Sequence, residues 1–291
     1  MKTLIKLSFL IGAMLLSASV SFAGTQCTTS STYTGHTGLN AADSTNGRCL
    51  VTPSALVLKF HEFGLCTTSA SPLAKTSCTK LLDSFSGVEL DISAGGSIPL
   101  ANGVTLDEGT YTHAYVILNK NRKINGSFEF ATSRTANNGT TGKFCYTNGS
   151  NADLNTNYAV GSTSTISCAS TSSPTPVPGT MRLVDNSQNH ANTQLNVTMN
   201  LGSETVVDDF YMIQSDGSLA TTFSNNFAIF VSQSLINNIT ISPNTSALDI
   251  KFIVTDGATI NFNQNGGPCG DANGCPTEMD IRGLLFKVVA N

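Results

Sequence analysis

Apolar and polar residues alternate with a period of two along most of the chain. "ALVLKFHEF", "TYTHAYVIL", "GSFEFA", "TQLNVTMNL", "VVDDFYMI", "NFAIFVS", "NNITIS", "ALDIKFIV", "ATINFN" and "RGLLFKVV" each show it. They are rich in Val, Ile, Thr, Phe and Tyr, and Gly, Asn, Asp, Pro or Ser bounds them, so each is predicted as a strand. "SDGS" at Ser215–Ser218 and "TDGA" at Thr255–Ala258 are predicted as tight turns between strands. No long amphipathic helix is predicted. Many short strands with this punctuation predict an all-β, antiparallel β-sandwich.

The N-terminus breaks the pattern. Lys2 and Lys6 precede an apolar run from Leu7 to Leu16, and Ser21-Phe22-Ala23 follows with small residues at both positions a signal peptidase reads. Residues 1–23 are therefore expected to be a secretory leader cleaved after Ala23. The run is shorter than the ~20 residues of a bilayer span, and no membrane span is expected after cleavage. A second break is "TSSPTPVPG", Thr171–Gly179, whose alternating prolines suit an extended, solvated linker. The expected organisation is an N-terminal extension over 24–53, a β-sandwich module over 54–170 that includes a long surface loop held by Cys145 and Cys168, the linker over 171–179, and a second module over 180–291. A long loop inside one sandwich is the alternative reading of the linker.

The chain has 8 cysteines, all beyond the leader. An even number in an exported chain implies a disulfide framework. They fall in close pairs, and neighbour pairing is expected: Cys27–Cys49, Cys66–Cys78, Cys145–Cys168 and Cys269–Cys275. The expected location is the periplasm, the cell surface or the medium.

Charge narrows the partners. The formal net charge is −4, and losing Lys2 and Lys6 with the leader makes it more negative. Without clustered Lys and Arg, nucleic acid is not an expected partner. Charged residues are only 12% of the chain, against about 25% in an average soluble domain. Ser, Thr, Asn and Gly take their place, which leaves few groups for acid–base work.

The candidate chemistry is sparse. If "TYTHAYVIL" alternates strictly, Tyr111, His113 and Tyr115 share one face, and such a cluster can stack on a sugar or bind a metal. A hydrogen-bonded histidine on a half-buried face is the plainer reading. His61 has Glu62 beside it, but strict alternation points the two to opposite faces. "CGDANGC", Cys269–Cys275, has neither the spacing of a redox pair nor the oxygens of a calcium loop, and reads as a small closed surface loop. Asp208–Asp209 and Asp107–Glu108 are the closest acid pairs, and adjacent strand residues diverge. No metal ligand set or cofactor is expected, and no catalytic residue. Asn125, Asn138, Asn148, Asn196, Asn238 and Asn244 begin N-x-S/T sequons.

"LDEGTYTHAYVIL", Leu106–Leu118, resembles the "L-x-x-G-x-Y" strand opening of bacterial secreted prealbumin-like β-sandwich modules. "SALVLKFHEFGLC" and "TKLLDS" loosely resemble the early strands of the same family. The likeness covers Ser54 to Leu118. It implies that Gly109 makes the turn into the strand, that Tyr111 packs over the sandwich edge, and that the chain is a surface, adhesive or pilus-associated module. It implies no catalytic residues. The leading expectation is a cell-surface structural or adhesive protein that partners itself, in a fibre, or surface glycans and proteins. In the fibre version, "RGLLFKVV" or the Cys27–Cys49 segment docks on a neighbour's sheet edge. A glycan- or small-ligand-binding module and a secreted hydrolase are the rival expectations.

Overall fold

A computed structural model describes residues 21–22, 26–29, 47–93, 97–99, 107–154, 164–171, 175–183, 195–201, 204–220, 227–245, 247–263, 269, 274–281 and 285–290. The body of the expected leader, residues 1–20, lies outside them. So do 270–273, the middle of the expected Cys269–Cys275 loop.

The described chain is all-β. In order its strands are β1 (Ser21–Phe22), β2 (Gly47–Val51), β3 (Ala55–Cys66), β4 (Cys78–Ser93), β5 (Ser97–Pro99), β6 (Gly109–Asn119) and β7 (Asn121–Asn125). Then come β8 (Ser127–Thr135), β9 (Thr141–Thr147), β10 (Asn151–Leu154), β11 (Ile166–Ala169), β12 (Gly179–Leu183) and β13 (Leu195–Leu201). The last are β14 (Glu204–Ile213), β15 (Ala228–Ile241), β16 (Leu248–Ile253), β17 (Ala258–Asn263), β18 (Cys275–Ile281) and β19 (Leu285–Ala290). One large sheet runs β1-β13-β14-β15-β6-β3-β7-β12-β10, with β4 added on β3. Three small sheets are β11-β9-β8, β19-β16-β5 and β18-β17-β2. Nearly all neighbours are antiparallel; β1 on β13 and β10 on β12 are parallel.

Only Lys120 separates β6 from β7, and β3 pairs along both. On their far side β6 takes β15 while β7 takes β12, so the sheet divides there. Strands from before and after Thr171–Gly179 thus share sheets: β6 with β15, β7 with β12, β5 with β16 and β2 with β17. The expected two modules, 54–170 and 180–291, are not how the strands pair. The proline-rich segment is itself tied in, since Val177 N–H donates to the Thr147 carbonyl (2.9 Å) and Gly149 N–H to that of Val177 (3.1 Å). Pro176 and Pro178 have no N–H, so Val177 is the one of the three that can donate.

β6 explains its own composition. Ala114, Val116 and Leu118 belong to the main core, with Phe60, Phe63, Phe130, Phe252, Phe262 and Phe286. Tyr115 and Ile117 belong to a smaller core on the opposite side, with Cys66, Ala70, Ile213, Ala228 and Phe230. A strand buried on both faces carries a continuous apolar run, which is what "AYVIL" is.

All four disulfides join sequence neighbours as the spacing predicts: Cys27–Cys49, Cys66–Cys78, Cys145–Cys168 and Cys269–Cys275. Cys145 and Cys168 do not hold the expected surface loop: they face each other across the antiparallel pair β9 and β11. β19 is not a free strand. It pairs with β16 on one edge, and Leu285 and Phe286 are buried, so the described part of "RGLLFKVV" contributes to this chain's own core. β2 is likewise paired, to β17.

The opening of β6 is a tyrosine corner. Gly109 sits at φ 156°, where a side chain is strained, and turns the chain into the strand. Tyr111 is buried and its hydroxyl donates back to the carbonyl of Asp107 at 3.1 Å, the tie that fixes such corners in sandwich folds. Tyr111→Phe keeps the ring and removes that bond. It is expected to cost about 1 kcal/mol, read from urea denaturation, with the m-value unchanged.

Candidate functional site

Across β3, β6, β15 and β14 the ladder sets side chains in rows on the smaller-core side. Cys66, His113 and Ser234 form one row; Gly64, Tyr115, Ser232 and Asp209 the next; Glu62, Ile117, Phe230 and Tyr211 the third.

Tyr115 lies in the middle and is 1% exposed. Its ring stacks on Phe230 at 5.3 Å and 11°. Gly64 faces it because there is no room for more: a Cβ there would run into the Tyr115 ring, and would lie 2.8 Å from the Thr79 carbonyl. The hydroxyl donates to Glu62 Oε2 at 3.1 Å. Burial, then the Glu62 charge, push its pKa far above the usual phenol value, so this hydroxyl stays a proton donor. Glu62 also binds Lys75 (3.0 Å) and Lys80 (3.3 Å), and Lys80 reaches Asp83 (3.0 Å). Burial lowers the Lys80 pKa, but the bonds and charges of Asp83 and Glu62 outweigh it and the net shift is upward.

Tyr111 does not join Tyr115. β15 slips against β6 between Ser234, opposite His113, and Ile239, opposite Tyr111. Past that irregularity Tyr111 enters the main core. The shared face of Tyr111, His113 and Tyr115 is therefore not formed, and both tyrosine rings are closed to a stacking ligand. His113 is half-buried. Its Nδ1 lies 2.8 Å from Thr112 Oγ1 and its Nε2 3.3 Å from Ser234 Oγ.

Strict alternation fails at His61 as well. The β3–β4 register jumps from Phe60 opposite Val88 to Glu62 opposite Asp83, so His61 faces an excursion of Ser84-Phe85-Ser86-Gly87. Consequently His61 and Glu62 do not diverge. His61 packs on Phe227, a flank of the smaller core, and Glu62 reaches Tyr115 in it. Gly87 at φ 75° closes the excursion. His61 Nδ1 lies 3.1 Å from the Phe85 carbonyl and 3.3 Å from that of Ser84. Carbonyls only accept, so Nδ1 carries the hydrogen, and Nε2 accepts from Asn119 Nδ2 at 3.4 Å. The braced loop holds out Phe85, 83% exposed, its inner face stacked on Phe227 at 6.3 Å and 17°. Sequence reasoning missed this knob. The one available signal was Gly87 inside an otherwise strand-like run, which marks a bulge.

Of the acid pairs, Asp107 and Glu108 are exposed, while Asp209 is half-buried with Oδ1 shielded from water and without a hydrogen-bond partner. Among the described residues no three His, Cys, Asp or Glu gather to hold a metal ion. No helix among them is long and apolar enough to cross a membrane. No protein-family model matches the sequence, and no curated protein or solved structure is significantly similar to it.

Proposed function

We propose that this is an exported cell-surface protein that works by contact, as a structural or adhesive component, and that Phe85 is a principal contact residue. The Phe85 knob carries the reading. A four-residue excursion opposite one residue, with its carbonyls pinned by a buried histidine, holds an aromatic ring out in water, the kind of side chain that anchors contacts. The leader pattern at Lys2–Ala23 and the four disulfides support export.

Contact through the knob fits better than strand addition. Among the described residues β4 pairs only with β3, yet its outer edge is broken by two register shifts and carries Lys80, Asp83, Glu89 and Asp91. Bulges and charges of this kind blunt an edge against pairing.

Phe85→Ala is expected to leave stability within about 0.5 kcal/mol, as for an exposed side chain. Binding should weaken about tenfold or more, as for a hot-spot aromatic. Sedimentation of the purified chain over a wide concentration range, beside a glycan array and a panel of whole cells, reads the binding. A wild-type chain that stays monomeric and binds nothing in either format ends the proposal, as does a Phe85→Ala chain that binds as tightly as wild type.

A further inference from the structure

The row Cys66, His113, Ser234 holds an arrangement that contact does not need. The Thr112 hydroxyl has one proton, and it goes to the Thr67 carbonyl at 2.8 Å. Toward His113 Nδ1, 2.8 Å away, Thr112 Oγ1 can therefore only accept. The neutral imidazole is thus fixed with its hydrogen on Nδ1 and a bare lone pair on Nε2. That lone pair faces Ser234 Oγ at 3.3 Å, so the serine hydroxyl is the donor between them.

A hydroxyl aimed at a base, with the base oriented by a third group, is the arrangement that activates a nucleophile. The surroundings agree. Burial holds the His113 pKa below its ordinary 6.5, despite the opposing pull of Asp209, so the ring is free to take a proton at neutral pH. Asp209 is close enough for its charge to act on His113, and its shielded oxygen has no hydrogen-bond partner. That charge would steady an imidazolium once formed. Ser234 is the last paired residue before the β15 irregularity, and such bulges re-aim side chains next to reactive sites. Ser234 and His113 are both half-buried, neither sealed in a core.

We infer that Ser234 is an activated nucleophile, with His113 as its base and Thr112 as the residue that positions the ring, and that it accepts acyl groups from esters. As Ser234 Oγ bonds to the ester carbon, its proton moves to His113 Nε2. The ester C–O bond then breaks and the leaving alkoxide takes that proton. Water reverses the sequence, giving up its proton to Nε2 and releasing the acid and the free serine.

A fluorophosphonate probe tests this on the whole chain. Oγ bonds to phosphorus, fluoride leaves, and the serine proton passes to Nε2 and then to solvent. The expected result is one dominant adduct, mapped to Ser234 by peptide mass spectrometry and absent in Ser234→Ala. His113→Ala should label about 100-fold more slowly, the scale of a lost general base. Thr112→Val keeps base and nucleophile but frees the tautomer, and should slow labelling about tenfold at a temperature where the variant is still folded. The wild-type rate should rise with pH through a midpoint below 6.5. Labelling of Ser234 no faster than of other serines overturns the inference, and so does His113→Ala at the wild-type rate. If His113→Ala fails to fold, a flat wild-type pH profile or an unaffected Thr112→Val overturns it equally.

Discussion

Phe230→Ala lowers the stability of the fold by about 3–5 kcal/mol, the usual range for deleting a fully buried aromatic ring. The side chain is 0% exposed and sits between Tyr115, stacked at 5.3 Å, and Tyr211, edge-on at 5.9 Å. The site is poorly able to collapse into the space left. Tyr115 is pressed against Gly64 on one side and held through its hydroxyl by Glu62, which two lysines grip in turn. The cavity therefore persists, and the cost belongs at the upper end of the range. Urea denaturation followed by tyrosine fluorescence measures it. A loss below about 1 kcal/mol would mean that the smaller core is looser than its packing indicates.

Replacing Cys66 and Cys78 together by alanine removes about 3 kcal/mol, the chain-entropy value for the loop that their separation of 12 closes. The effect reaches beyond stability because of what the loop holds. Thr67, next to Cys66, accepts the Thr112 hydroxyl at 2.8 Å, and Ala70 N–H donates to Ser232 Oγ at 3.3 Å. The first contact braces the His113–Ser234 row and the second the Tyr115–Ser232 row beside it. Loosening the loop frees Thr112 to donate to Nδ1, which moves the hydrogen to the wrong nitrogen. The double variant should unfold at lower denaturant and also label more slowly at Ser234 under conditions where it is still folded. Equal stability would show that the bridge constrains little of the unfolded chain. Lower stability with undiminished labelling would show that the loop does not position the histidine.

Such coupling between a staple and a distant hydroxyl lies beyond the reach of alternation patterns. The period-two runs fall on β3, β6, β8, β13 to β17 and β19, because side-chain direction within one strand is a local matter, while β4, β7, β9, β11, β12 and β18 carry no such run. The cysteine spacing correctly indicates the bridges, because close neighbours in the chain are close in space. The Gly-Thr-Tyr corner was legible for a similar reason, since Gly109, Asp107 and Tyr111 act within five residues of one another. Faces were legible only up to the first bulge. At His61 and again at the β15–β6 irregularity the register slips, and the face assigned by alternation changes on β3 and at Tyr111 of β6. This is why Tyr111 and Tyr115 part company and why His61 and Glu62 do not.

From the sequence alone follow an all-β chain, four local disulfides, a polar surface with little charge, and the absence of a recognisable catalytic motif. These depend on residue type and near spacing, which the order of residues states directly. Only the tertiary structure decides that strands from both sides of the proline-rich segment share sheets, that Phe85 stands out on a braced knob, and that Ser234 meets His113 across 121 residues of chain. Those outcomes depend on which strands pair and in what register. That choice is made by the burial of whole faces against one another, a property no single stretch of the chain contains.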